Sequence, residues 1–184
     1  MTDFTFHTID NSSGETRAIL EEVQGKYGFI PSLFNYMAEA PATIRAYMDM
    51  NDTLHSATSF SAGQLQVALL AVSHYNDCGF CSGAHQAMAQ HSGSHPQSVA
   101  AVLAGDEIED PQDKAIVAMV LAIVKSRGWV SEEDFEAFFA AGFSHKHFLE
   151  LHLVSAIKTL SNYINHVTRP QPNPELLAMI KRGG

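Results

Sequence analysis

Signals that start and stop α-helices recur along this whole chain, and no segment between them alternates apolar and polar residues at strand spacing. That combination confines the fold to packed helices. Ser12-x-x-Glu15 and Ser61-x-x-Gln64 are capping-box patterns leading into apolar runs, and Ser131-x-x-Asp134 is a looser form of the same signal. Asp110 followed by Pro111 places an N-cap and a first-turn proline ahead of an apolar helix. There Ile116, Val117, Val120, Leu121 and Val124 form the wide stripe of an interior helix. Gly105, Gly128 and Gly142 read as helix-terminating glycines. The spacing predicts helices near 13–26, 41–57, 61–75, 78–91, 96–104, 112–126, 132–140, 145–166 and 174–181, and no sheet. The Met and Phe stripes, such as Phe135, Phe138 and Phe139, read as core packing.

A single domain over 1–184 is expected. An N-terminal arm with short helices covers 1–40, a helical core covers 41–166, and a C-terminal arm covers 167–184. Gly28-Phe29-Ile30-Pro31 marks a turn before a short helix. Arg169-Pro170-Gln171-Pro172-Asn173-Pro174 must leave the long preceding helix, because proline lacks the backbone donor. Both arms are expected to lie over the bundle or over a neighbouring subunit. At 184 residues no disulfide framework is needed for stability. A net charge of −9 with only eleven scattered Lys and Arg argues against nucleic acid as a partner. No stretch has the length of a membrane span, and the N-terminus lacks a signal-peptide pattern, so a cytoplasmic location is expected. In that compartment a cysteine pair points to catalysis or metal binding rather than to a structural bridge.

The informative segment is His74-Tyr75-Asn76-Asp77-Cys78-Gly79-Phe80-Cys81-Ser82-Gly83-Ala84-His85. It holds the only two cysteines, three residues apart, which chance placement gives on the order of once in a hundred times. Asn76 and Asp77 are good N-caps, which predicts Cys78 in the first turn of a helix at 78–91 with Cys81 one turn on, on nearly the same face. Unpaired N–H groups at a helix start lower a thiol pKa. His85, four residues after Cys81, is expected over the same face, with an ordinary pKa of about 6.5 that suits proton exchange. These residues predict Cys81 as nucleophile, Cys78 as resolving thiol and His85 as general base and acid.

Two other readings of the same residues stand beside this one. The cysteines could be small buried residues serving at most as a redox switch. Alternatively Cys78, Cys81 and His85 could bind zinc with His74 or a distant His as the fourth ligand, although no second Cys-x-x-Cys is present. His7, His55, His91, His95, His145, His147, His152 and His166 are expected at the surface or at interfaces.

The Cys-x-x-Cys-x-x-x-His stretch, preceded by the amphipathic run from Gln64 to Ser73, resembles the signature of the alkylhydroperoxidase D-like (AhpD-like) and carboxymuconolactone decarboxylase superfamily. Weaker similarity to its peroxidase-related members runs through Gly28–Leu33 with Pro41-Ala42, Gly142-Phe143-Ser144 and Ser161-Asn162-Tyr163-Ile164-Asn165-His166. The resemblance implies an all-α AhpD-like helical bundle, commonly a trimer or hexamer. It also implies a peroxide-attacking Cys81, a resolving Cys78 and a proton relay through His85. The implied partners are a hydroperoxide or disulfide substrate and an external dithiol reductant, with no bound cofactor or metal. Two positions depart from the best-described alkylhydroperoxidases. Gln66 stands where they carry Glu, and Phe80 stands where they carry a His between the cysteines. Gln can orient a histidine but cannot take up a proton, so the full relay does not transfer; His74 or Asp77 are the local candidates for the missing acid–base group. The decarboxylase branch does not typically use a Cys-x-x-Cys pair, which favours redox chemistry here.

Overall fold

The computed structural model describes residues 3–181. Among them run ten α-helices and no strand. These are α1 (Gly14–Tyr27), α2 (Ser32–Met37), α3 (Pro41–Ala57), α4 (Ala62–Tyr75), α5 (Gly79–Ala89), α6 (Pro96–Ala104), α7 (Pro111–Ser126), α8 (Glu132–Ala140), α9 (His145–Thr168) and α10 (Pro174–Lys181). None is long and apolar enough to cross a membrane. The capping chemistry explains most of the boundaries. Ser61 and Gln64 exchange both bonds of a capping box at 3.2 and 3.0 Å, Ser131 and Asp134 do the same, and Asp110 Oδ1 accepts from the amides of Gln112 and Asp113. One expected box does not form. Ser13, not Ser12, precedes α1, because Gly14 takes a left-handed φ of +57° and the Ser12 hydroxyl bonds His7 and Asn11 in the arm.

Helix α4 is the centre of the bundle. Residues Leu65 to Ser73 are buried without interruption, as a helix apolar on every side must be. It packs against α5, α6, α7 and α9. Leu70, Val72, Ile116, Val120, Leu151 and Val154 are fully buried in this main core, each stabilising the fold by roughly 1.5–3 kcal/mol. A second apolar cluster joins Ile19, Leu20 and Val23 of α1 to Leu33, Phe34 and Met37 of α2 and to Ile44 and Met48 of α3. Tyr47 packs against both clusters. Gly63 is required at the start of α4, because a Cβ there would lie 2.6 Å from the Gly93 carbonyl oxygen.

Both arms lie on the bundle. His7 and Asn35 bond each other's backbone, and Asn173 ties the C-terminal arm to α2 through Ser32 and to the Ile30 carbonyl. Helix α10 rests on α5, with Ile180 over the side-chain-free face of Gly83.

His95, at the start of α6, bonds the buried Asp113 of α7 at 2.8 Å, and the two Asp carboxylates raise its pKa above the ordinary value, Asp113 most. A raised folded-state pKa adds stability that is complete below about 6.5 and is lost as pH rises through the folded value. The melting-temperature deficit of His95→Gln is therefore expected to be larger at pH 5.5 than at pH 8.5. A constant deficit across that range would contradict the ion pair.

Candidate active site

The cysteine pair is placed by the junction of α4 and α5. Asn76 ends α4, and Asp77 adopts a left-handed φ of +54°. The amides of Asp77 and Cys78 then bond back to the carbonyls of His74 and Ser73, both at 3.0 Å, a helix-ending arrangement that usually has Gly in the left-handed position. Here the structure corrects the sequence reading. Cys78 is itself the residue before α5, and neither Asn76 nor Asp77 caps that helix. The chain needs Asp77 to reverse direction, and the Asn76 side chain is engaged elsewhere, donating to Asn162 Oδ1 at 3.0 Å. Cys81 still falls in the first turn of α5, where the unpaired amide groups favour a thiolate.

Both cysteines are buried, reduced thiols. The Asn165 amide of α9 serves both, with its Nδ2 3.1 Å from Cys81 Sγ and 3.7 Å from Cys78 Sγ. The pair is electrostatically split. Cys81 is brought down to about 5, first by the hydrogen bond from the Cys78 thiol, against the cost of burial, and then by the Lys158 cation and the Asn162 and Asn165 amides. Cys78 is pushed above the ordinary thiol value, first because its proton is held toward Cys81 and then by burial. One sulfur thus holds the negative charge and its neighbour holds the proton.

Lys158 is the most costly group in the site. It is a lysine buried to 2% exposure, and none of the described residues gives it a carboxylate partner. An unpaired buried ammonium is strongly destabilising, so the Cys81 thiolate is its natural counter-charge. Its Nζ donates to His85 Nε2 at 2.9 Å, and His85 Nδ1 donates in turn to Gln66 Oε1 at 2.9 Å. The Gln66 amide then approaches Nε2 of the exposed His55 at 3.5 Å. Burial first, then Lys158 and His55, drive the His85 pKa well below its ordinary value. The ring is therefore neutral, with its proton on Nδ1, the tautomer this network requires. The direct approach of His85 to Cys81 expected from the spacing is not among the hydrogen bonds. Lys158 stands between them in function, because both imidazole nitrogens are already engaged. The same engagement opposes a zinc set, since the His85 lone pair accepts from an ammonium.

The structure therefore brings together all four residues singled out from the sequence, Cys78, Cys81, His85 and Gln66, and adds four more. Lys158, Asn162 and Asn165 form one stripe of α9, continuing the apolar seam of Leu151, Val154 and Ile157 at helical spacing. The available signal was a lysine and two asparagines at positions where the periodicity calls for core residues. His55 left no such signal. Asn165 Oδ1 is buried without a hydrogen-bond partner among the described residues, so the polar wall is not fully satisfied in this state. Outside the sulfurs lies a pocket of about 270 Å³ bordered by Cys78, Asn165 and Arg169, among others.

The carboxymuconolactone decarboxylase family model matches residues 41–123. A peroxidase-related protein from Ralstonia eutropha JMP134, described as an alkylhydroperoxidase AhpD core, is 26% identical, with 97% of this chain and 95% of that one covered and a TM-score of 0.83. The chain is thus similar to AhpD-like proteins of the carboxymuconolactone decarboxylase superfamily. A peroxidase-related protein from Silicibacter sp. TM1040 shares the fold at 18% identity, 97% coverage of both chains and a TM-score of 0.77. The debrominase Bmp8, in a complex with 2,3,4-tribromopyrrole, shares it at 14% identity, 100% and 99% coverage and a TM-score of 0.79. No curated protein matches the chain at a significant level. The family match runs from α3 into α7 and includes Gln66, the cysteine pair and His85. Lys158, Asn162 and Asn165 lie beyond it, on α9.

Proposed function

We propose that this AhpD-like chain is a thiol-dependent oxidoreductase that reduces hydroperoxides through a Cys78/Cys81 dithiol–disulfide cycle. One observation carries the reading: a thiolate at Cys81 held by the buried Lys158 cation and the Asn165 amide, next to a second thiol that keeps its proton. In the cycle the Cys81 thiolate attacks the terminal peroxide oxygen. The O–O bond breaks, and the departing alkoxide takes a proton from the Lys158 ammonium, leaving Cys81 as a sulfenic acid. Cys78 then displaces hydroxide, which leaves as water with the Cys78 proton, and a disulfide forms. An external dithiol restores both thiols. His85 acts through Lys158 as the proton relay, and Gln66 orients His85. Gln66 carries no proton itself, so it fixes the ring rather than feeding it, which answers the departure from the family's Glu. The debrominase among the structural neighbours shows that this fold carries more than one activity.

The test is steady-state reduction of cumene hydroperoxide with a dithiol reductant, comparing wild type with Cys81→Ser. Equal rates would end the peroxidase reading and leave the pair as a redox switch. We further propose self-association through the outer face of α9, where Tyr163 and Val167 are more than half exposed beside Leu160 and Ile164 in an apolar depression. Light scattering is expected to return a multiple of the chain mass, and a monomer would remove the proposal.

A further inference from the structure

The two sulfurs are equally buried, at 3% exposure, but differ in charge and in what lies beside them. The pocket beside them is bordered by Cys78 but not by Cys81. Its other polar walls are Asp77, Asn165, His166, Arg169 and Gln171. The last three follow Asn165 at the end of α9, where Arg169 takes a left-handed turn and its amide bonds the Asn165 carbonyl at 2.9 Å. That turn folds the chain back along the pocket. No described residue bonds the Arg169 side chain, so a cation with no counter-ion among the described residues stands beside the cysteine pair in a chain of net charge −9. Among the described residues, Asp77 is the one carboxylate on the same wall.

A thiol that keeps its proton is a poor nucleophile, so the sulfur bordering the pocket is badly suited to begin the oxidative half of the cycle. The same sulfur is well suited to be attacked. In thiol–disulfide exchange the reachable sulfur receives the incoming thiolate, and the sulfur of lower pKa leaves. We infer, resting on the dithiol cycle proposed above, that the pocket at Cys78 docks the external reductant, a small thiol bearing a carboxylate that Arg169 recognises. The donor thiolate attacks Cys78 Sγ, a donor–Cys78 bond forms, and the Cys78–Cys81 bond breaks. Its electron pair goes to Cys81, where Lys158 and Asn165 await the charge. A second thiolate, from the same dithiol or from a second donor molecule, attacks the donor sulfur. Cys78 is released and takes up one of the two protons that the donor thiols gave up, and the other restores the Lys158 ammonium. The sum is one protein disulfide reduced and one donor disulfide formed. The pocket volume lies just below the roughly 300–1,000 Å³ usual for ligand sites, which fits a small thiol better than a protein segment.

The experiment starts from protein oxidised by diamide and reads its reduction by 3-mercaptopropionate and by neutral 2-mercaptoethanol, each rate expressed per thiolate. Wild type is expected to favour the carboxylate thiol by about five-fold or more. The preference should fall to about one in Arg169→Gln, return in part in Arg169→Lys, and survive in Arg127→Gln, which changes a residue in a similar left-handed turn at the end of α7. Acid quenching, alkylation and fragment mass spectrometry then locate the adduct. Donor on Cys78 with Cys81 alkylated supports the inference. Donor on Cys81, or an Arg169→Gln ratio equal to wild type, overturns it while leaving the dithiol cycle intact. Failure of diamide to form any Cys78–Cys81 disulfide overturns both.

Discussion

Cys81→Ser is expected to abolish hydroperoxide turnover, lowering kcat/KM by roughly 1,000-fold or more, as removal of a nucleophile does. The hydroxyl that replaces the thiol is not ionised at neutral pH, so the attacking anion disappears and Lys158 loses its counter-charge. Cys78→Ser should behave differently. Its hydroxyl still donates toward Cys81, so the thiolate persists and attacks one equivalent of peroxide, but no disulfide can follow. A single turnover ending in a sulfenic acid on Cys81, captured by dimedone, is the expected outcome. Multiple turnovers in Cys78→Ser would show that the second cysteine does not resolve the first.

Lys158→Met is expected to raise the Cys81 pKa from about 5 by about one to three pH units, the usual effect of removing a nearby opposite charge. Thiolate absorbance near 240 nm reads this without requiring reagent access to a buried sulfur. Cys81 is an acid whose pKa the folded site lowers, so the thiolate is present above that value and lost as pH falls through it. Removing Lys158 moves the loss upward. At pH 7 the rate is expected to fall about 10- to 100-fold, partly through lost thiolate and partly through lost proton donation, and the deficit should narrow toward pH 9. Removing one partner of a buried ion pair is costly when the other stays charged, but Cys81 can take up a proton instead, so a folded but slow variant separates chemistry from folding. An unchanged Cys81 titration would show that Lys158 does not hold the thiolate.

Much of the site was legible in the residues themselves. The spacing of Cys78 and Cys81 at a helix start pointed to the redox role proposed above, and His85 one turn later falls in the same buried cluster. Gln66 was found through its departure from the family pattern, and its bond to His85 accounts for that choice. The cap of α5 was misread because Asn76 and Asp77 have two possible duties. Only the turn geometry, with Asp77 left-handed and Asn76 facing Asn162, decides between capping the next helix and closing the previous one.

Local chemistry was enough to determine the helices and the sulfur pair, because capping hydrogen bonds, proline and glycine backbone limits and apolar spacing all act within a few residues. It could not determine what gives the sulfurs their unequal character. That depends on Lys158 and Asn165 of α9 meeting α5 across the bundle, and Coulomb attraction and hydrogen bonds follow distance in space rather than separation along the chain. Packing α9 against α4 and α5 buries the lysine near a thiol in place of a carboxylate, and that arrangement sets the two sulfurs apart in charge.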